Sequence, residues 1–365
     1  MNGRPRRSAA RRALRGLAGL LALLVVTLVV VCLVPVAPTV ARQPAASADR
    51  LWQLSRGHRL AFEHVPAAGG PRRTPVLFVH GGPGGYVHSS VVRTLGRLAE
   101  RGHDVWFYEQ VGSGRSDRLA RPGDYGFLGH VEDLREVVER FLGGRVVLVG
   151  QSYGALLAAE LVARHPALVE RLVLTSPGSL QPMRFDDRGW ITERELQPPP
   201  EYRFVPPAQV AMDGVRFWPP RALASMALAT ALDVKLMPDR EADGVLDTLA
   251  ARFTSGMVCD PRHVQPEEGG AGFYAHGRSN WFGDHEDPRP SLRARTLPVL
   301  VLQGACDHLE YATAYEYVTL FPNARYRFIE GAGHIIWWEQ PDAWLAAIEA
   351  FLEEPLGAGS PREVR

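Results

Sequence analysis

Gly150-Gln151-Ser152-Tyr153-Gly154 follows directly on the apolar run Val146-Val147-Leu148-Val149 and opens a stretch of helical character. The order is strand, sharp turn, helix, with a serine at the turn. The glycines flanking Ser152 at two-residue spacing suit a turn too tight for a Cβ, and such a turn lifts the serine oxygen clear of the backbone above a sheet, where a nucleophile belongs. Taken alone the G-x-S-x-G pattern is weak, because glycine and serine are common; its surroundings give it meaning.

Further short apolar runs at 76–79, 105–108, 172–175, 299–302 and 326–329 have the character of strands buried on both faces, and most are followed by a helical pattern. Val131, Leu134, Val137, Val138, Phe141 and Leu142 recur at helical spacing until Gly143-Gly144 stops them, and 343–352 reads as a closing amphipathic helix. Strands alternating with helices predict a doubly wound, mostly parallel α/β sheet with ligands at the carboxyl ends of the strands. The rhythm breaks after Pro177 and resumes near Pro298. The intervening stretch is rich in proline pairs (Pro198 to Pro200, Pro206-Pro207, Pro219-Pro220) and offers two helices, at 221–232 and 239–253. Its aromatics, among them Phe217, Trp218, Phe253, Phe273, Tyr274 and Trp281, need burial, so it is expected to be a cap folded over the strand ends rather than a linker.

With 365 residues, 46% hydrophobic and 22% charged, the chain can bury a large core, and a net charge of +1 leaves no electrostatic footprint for nucleic acid. Arg4, Arg6, Arg7, Arg11, Arg12 and Arg15 precede an apolar stretch from Leu17 to Val34, and no further charge appears until Arg42. That stretch approaches the roughly 20 residues needed to span hydrocarbon. The expected reading is a single-pass anchor with its arginines in the cytoplasm and the rest of the chain outside. A signal removed near Thr39-Val40-Ala41, giving a secreted protein, is the alternative, and Arg11-Arg12 faintly resembles a twin-arginine signal. The expected divisions are 1–42, stub and anchor; 43–177, first part of the core; 178–297, inserted cap; and 298–365, second part of the core with a fraying tail. Cys32 lies in the apolar stretch, which leaves Cys259 and Cys306 as the pair available to an oxidising compartment, either bridged or as two buried thiols.

His80-Gly81-Gly82-Pro83-Gly84-Gly85 follows the 76–79 run. In acyl transfer an oxyanion is held by the N–H of the residue after the nucleophile and by another from an early loop of this kind. Tyr153 would supply the first and Gly82 the second, because Pro83 has no N–H. The competing readings are an ordinary turn or a phosphate loop, and the spacing matches neither G-x-G-x-x-G nor a P-loop. His80 is expected to support this loop. A serine nucleophile needs a base, and the base needs an orienting carboxylate. Gly331-Ala332-Gly333-His334 follows the last strand-like run and Gly304-Ala305-Cys306-Asp307 the one before it. Ser152, Asp307 and His334 therefore stand at successive strand ends, in the chain order of α/β-hydrolases. Singly, each is an ordinary loop residue. Asp307 has rivals in Glu310, Asp284 and Asp287, but only it comes right after a strand. No H-E-x-x-H or Cys/His cluster at zinc spacing occurs, so no metal or other cofactor is expected.

From about Arg59 to Leu352 the chain resembles the α/β-hydrolase superfamily. Within it, His80-Gly81-Gly82-Pro83-Gly84 is similar to the prolyl aminopeptidase (proline iminopeptidase) group of serine peptidases, and Glu109-Gln110-Val111-Gly112-Ser113-Gly114-Arg115-Ser116 supports this. That group usually has Asp-Gln-Arg-Gly before Gly-Arg-Ser; here Glu109 and Val111 replace the acid and the arginine. The resemblance implies a serine hydrolase acting on a small-molecule or short-peptide substrate through an acyl-enzyme. It also implies cap carboxylates that hold a substrate amine, typically near a Trp-Glu pair. No Trp-Glu occurs between Pro177 and Pro298; Glu193, Glu195, Asp284, Glu286 and Asp287 are the candidates, each also readable as a solvated charge, and Trp337-Trp338-Glu339 is expected to pack the final helix. An esterase or lipase on the same scaffold, and a non-catalytic binding protein of hydrolase fold, remain the alternatives. Oligomeric state has no signature in the sequence.

Overall fold

The computed structural model describes residues 6–69, 71–206, 218–279 and 285–355, with side chains from Leu14 onward except Leu28. Pro207, Phe217, Trp281, Asp284, the tail from 356, Arg4 and the side chains of Arg6, Arg7, Arg11 and Arg12 lie outside the described residues. Helix α1 (Arg6–Leu33) takes up the N-terminal apolar stretch. Its span Leu14–Leu33, of mean hydropathy 2.9 and with none of its apolar window buried, is long and apolar enough to cross a membrane; a signal sequence has the same property.

Strands β1 (Leu51–Gln53), β2 (Arg59–Val65) and β3 (Val76–Val79) are followed by α2 (Ser89–Leu95), β4 (Val105–Tyr108), α3 (Phe127–Glu136), β5 (Val146–Gln151), α4 (Tyr153–Arg164) and β6 (Val169–Thr175). The chain then leaves the sheet through the hairpin β7 (Phe185–Asp186) and β8 (Gly189–Trp190), α5 (Ile191–Glu195), α6 (Pro220–Ala231), α7 (Asp239–Phe253), α8 (Phe273–Ser279) and α9 (Arg289–Arg293). It returns for β9 (Val299–Cys306), α10 (Tyr311–Leu320), β10 (Ala324–Gly333), α11 (Ile336–Glu339) and α12 (Pro341–Glu353).

The eight-stranded sheet runs in the order β1-β2-β4-β3-β5-β6-β9-β10, with β1 and β2 antiparallel to their neighbours and the remaining strands parallel. Val76 and Phe78 pack with Val91, Trp344 and Ile348 on one face, whereas Leu77 and Val79 pack with Leu148, Leu157 and Tyr317 on the other. Two covered faces explain why β3 reads as an unbroken apolar run. Strand β2 escapes that reading because Glu63 and His64 interrupt it near the edge of the sheet, where burial is incomplete. From β3 the chain steps to β4 on one side and then to β5 on the other, so the strand order reverses at the carboxyl ends of β3 and β5, where ligands of such sheets bind.

Candidate functional site

Ser152 sits between the end of β5 and the start of α4 with φ 52° and ψ −118°, one of three non-glycine residues at positive φ among those described. Such strain persists only where the surroundings impose it. They do so here because α4 abuts the end of β3, and a Cβ on Gly154 would overlap the carbonyls of Val79 and His80. The glycines around Ser152 are thus required by the approach of helix to strand.

The 80–85 loop crosses above this turn. A Cβ on Gly81 would lie 2.8 Å from that of Ser152, and Gly82 turns the loop at φ 129°. His80 Nε2 accepts the Gln110 N–H at 3.0 Å, which leaves Nδ1 as the protonated nitrogen that donates to the Gly81 carbonyl at 2.9 Å. The Gln110 side chain also donates to the His80 carbonyl, at 2.7 Å. Burial lowers the His80 pKa to about 4, so it is a neutral clamp on the loop. Gln110 is a supporting residue whose signal in the sequence was the Glu109–Ser116 motif. Glu109, fully buried, accepts the N–H and Nε–H of Arg115 at 2.7 and 3.0 Å and closes the same motif into a loop. Neither the Gly82 nor the Tyr153 N–H has a hydrogen-bond partner among the described residues.

Asp307 and His334 follow the ends of β9 and β10, and the structure brings them together: Nδ1 of His334 lies 2.8 Å from Oδ1 of Asp307. The same oxygen accepts the Leu309 N–H at 2.9 Å. Burial by itself would raise the Asp307 pKa, but the His334 imidazole and these hydrogen bonds outweigh it and the net shift is downward. The carboxylate therefore stays ionised behind the imidazole.

Ser152, His334, His80 and Gly81 to Gly85 line one cavity of about 260 Å³. Its other walls are Leu246, Ala250 and Phe253 of α7, Met257, Ala271, Tyr86, Trp337 and Trp338. The Ser152 hydroxyl and the His334 imidazole share this cavity without a direct hydrogen bond between them.

The model of the alpha/beta hydrolase fold family matches residues 74–341. The chain belongs to the alpha/beta hydrolase family. A proline iminopeptidase of Saccharolobus solfataricus is 25% identical over 290 residues, covering 76% of this chain and 84% of that one. A second proline iminopeptidase, from Heyndrickxia coagulans, is 26% identical over 306 residues, covering 81% of this chain and 96% of the relative. Among solved structures, an esterase from Exiguobacterium antarcticum superposes with a TM-score of 0.55 at 17% identity, over 83% of this chain and 99% of its own. The enol-lactonase of Burkholderia xenovorans does so at 0.51 and 20%, over 83% and 100%. These likenesses to solved structures are likenesses of fold.

In this hydrolase four of the acids named from the sequence, Glu193, Glu195, Glu286 and Asp287, do not line the cavity, and Asp284 lies outside the described residues. Glu195 pairs with Arg184 at 3.1 Å, Asp287 with Arg289 at 2.9 Å, Glu286 is exposed, and Glu193 lines a separate cavity beside His308. Among the described residues the one carboxyl group lining the main cavity is Glu267, which the sequence did not single out. It accepts the Tyr86 hydroxyl at 2.8 Å, and burial first, then the neighbouring Glu268 charge, raise its pKa. Trp337 and Trp338 line the cavity, and both indole N–H groups donate to Ser90 Oγ, at 3.2 and 3.0 Å. Glu339 does not merely pack the last helix; its carboxylate accepts the backbone N–H groups of Cys259, Asp260 and Gly333 at 2.9, 2.8 and 2.7 Å. The Met257 carbonyl accepts the His334 N–H at 2.8 Å. Cys259 and Cys306 form a disulfide, Cα–Cα 5.2 Å, so the segment after α7 is bonded to the residue before Asp307. Asp307, His308 and His334 also bring one carboxylate oxygen and two imidazole nitrogens within 4.8 Å of one another, a grouping in which Asp307 and His334 are already engaged with each other.

Proposed function

We propose that this hydrolase cleaves an amide or ester bond through an acyl-enzyme, with Ser152 as nucleophile, His334 as base and acid, and Asp307 as the orienting carboxylate. The observation that carries this reading is the 2.8 Å Asp307–His334 pair beside a cavity shared with a serine held at positive φ. Ser152 Oγ attacks the carbonyl while His334 Nε2 takes its proton; Asp307, bonded to Nδ1–H, fixes that tautomer and stabilises the imidazolium. His334 then protonates the leaving group and activates water against the acyl-enzyme. The Gly82 and Tyr153 amides, both without partners among the described residues, hold the oxyanion, and loss of one such donor costs on the order of 3 kcal/mol in the barrier.

On the substrate side we propose an aminopeptidase-type reaction, supported by the proline iminopeptidase relatives and by Glu267, a carboxyl group placed to meet an ammonium across the cavity. The apolar lining by Leu246, Phe253, Met257, Trp337 and Trp338 favours a second reading, an esterase for hydrophobic acyl groups. Residues 178–297 act as the cap in either case. We further propose that α1 is a retained anchor with the hydrolase outside the cytoplasm, a placement with which the Cys259–Cys306 bond agrees.

The test is labelling of the full chain by a fluorophosphonate, with turnover of proline p-nitroanilide and of p-nitrophenyl esters. Ser152→Ala is expected to abolish labelling and turnover with an unchanged circular dichroism spectrum, since the serine lines a cavity and packs no core. Turnover of that variant at the wild-type rate would end the proposal, and a wild-type chain that neither labels nor turns over would be a binding protein of hydrolase fold.

A further inference from the structure

The sequence separates an anchor from a core at residue 42, but the structure lays the chain that leaves α1 along the cap. The Cys32 carbonyl accepts from Arg221 of α6 at 2.9 Å, and the same guanidinium donates to Glu241 of α7 at 2.7 and 3.1 Å. Glu241 in turn accepts the Val36 N–H at 2.9 Å. Farther along, the Thr39 N–H and hydroxyl meet Thr248 Oγ1 at 3.2 and 3.1 Å, Arg42 pairs with the buried Asp243 at 2.6 Å, and the Gln43 N–H donates to Gly269 O at 3.1 Å. Pro38 lies so close to α7 that a Cβ at Gly244 would overlap its ring.

The contacts at Glu241, Gly244 and Thr248 use one face of α7. Glu241, Gly244 and Thr248 follow each other at helical spacing, and Leu246, Ala250 and Phe253, the cavity wall, do so on the opposite side, at about 100° per residue. Gly269, against which Ala41 and Arg42 lie, is flanked two residues away on either side by Glu267 and Ala271, which line the cavity. α7 therefore has the exit segment of α1 on one side and the substrate space on the other, and the 267–271 loop touches both.

We infer that residues 32–43 form a strap that fixes α7 over the cavity, making the exit segment of the apolar helix a determinant of substrate choice. Release of the strap removes the hydrogen bonds of Glu241, Thr248 and Asp243 to this segment, and α7 then holds its inner face less firmly. The loss falls on substrates large enough to touch Leu246, Ala250 and Phe253, and small acyl groups that stay near Ser152 are spared. A chain cut within Thr39-Val40-Ala41 would keep the Arg42 pair and lose the contacts of Thr39 and Pro38 to the anchor side, so the cut and uncut forms differ in specificity. The substrate part of this inference rests on the proposed hydrolase activity.

Two variants of the full chain in detergent test it. Gly244→Ala favours the helix intrinsically and displaces Pro38; the double variant Thr39→Ala/Arg42→Ala removes the hydroxyl contact to Thr248 and the Arg42 pair with Asp243, which keeps Arg118 as its partner. Hydrogen exchange of the α7 amides is expected to quicken on the order of tenfold in both. kcat/KM for p-nitrophenyl octanoate is expected to fall about fivefold, mostly through KM, while that for p-nitrophenyl acetate stays within about twofold. Exchange and the octanoate-to-acetate ratio unchanged in both variants would overturn the strap. A wild-type chain that takes neither ester nor fluorophosphonate would instead overturn the hydrolase reading, and α7 exchange would still decide on the strap.

Discussion

The Glu339 carboxylate accepts the Gly333 N–H at 2.7 Å, one residue before the imidazole that pairs with Asp307. The same Oε2 accepts from Cys259, and Oε1 accepts from Asp260. A single acid therefore ties the segment following α7 to the loop that carries His334. In Glu339→Gln an amide NH₂ must face backbone N–H groups on one side or the other. Hydrogen bonds to a charged group contribute about 1.5–3 kcal/mol each, so we expect the variant to lose about 2–3 kcal/mol of stability. We expect kcat to fall on the order of tenfold with KM little changed, because the imidazole is displaced more than the substrate cavity. Thermal melting and steady-state kinetics read the two effects; a KM-only defect would place Glu339 with the cap instead.

Glu267 is the second residue whose removal should be informative. Glu267→Gln preserves shape and the Tyr86 contact but cannot carry a negative charge. For an amine-bearing substrate such as proline p-nitroanilide we expect kcat/KM to fall about 10- to 100-fold, the scale of a buried charge-assisted contact. For p-nitrophenyl acetate, which has no amine, the change should stay within about twofold. Equal losses on both substrates would show that the carboxyl group shapes the cavity without selecting charge.

Why Asp307 and His334 are readable from the sequence and these acids are not is a matter of where each acts. Strands buried on both faces announce themselves as apolar runs, and a residue immediately beyond such a run is placed at the sheet's carboxyl edge before any tertiary contact is known. Ser152, Asp307 and His334 all have that address. Glu267 lies in a segment with no regular structure, between Pro261–His263 and α8, and lines the cavity only through tertiary contacts of that segment. Glu339 acts on backbone N–H groups distant in sequence, which carry no side-chain signature. The strap was hidden for a different reason: Val36 to Gln43 has the composition of a linker, and its partners on α7 lie some 200 residues away. β2 gives no apolar run because its side chains are only half covered.

The Cys259–Cys306 bond closes a loop of 47 residues between the cap and the residue before Asp307. Restricting the unfolded chain over such a loop contributes about 2–4 kcal/mol. We expect Cys259→Ala/Cys306→Ala, or reduction under mild denaturant, to lower the melting temperature by several degrees, about 2–4 °C per kcal/mol for a chain of this size. Activity should fall less steeply than stability at 25 °C, since Glu339 and the Met257 carbonyl still hold the same segment. An identical melting curve with and without reductant would mean the bond contributes nothing to the folded chain.

Asp247 of α7 is expected to make the stability of the segment between β6 and β9 depend on pH. It is fully buried in α7; Oδ1 accepts the Ala271 N–H at 2.7 Å, while Oδ2 has no partner among the described residues. Burial, reinforced by the nearby Asp243 and Glu267 charges and opposed by the Ala271 hydrogen bond, raises its pKa from 3.8 to about 7. Between those values the folded chain holds a proton that the unfolded chain has released. The stabilisation is therefore complete below pH 4 and is lost as pH rises through 7. Asp247→Asn keeps the oxygen that accepts from Ala271 and cannot ionise. Near pH 4 the variant and the wild-type chain should have similar stability; at pH 8 the variant should be the more stable, by on the order of 1–2 kcal/mol after allowance for relaxation of a buried charge. Denaturant titrations of both proteins at the two pH values measure this difference directly, and because every other titrating group is common to the pair, their contributions cancel. A difference that is the same at both pH values would mean that Asp247 is ionised throughout, its charge balanced within the cap by Arg42 and Arg118 around Asp243.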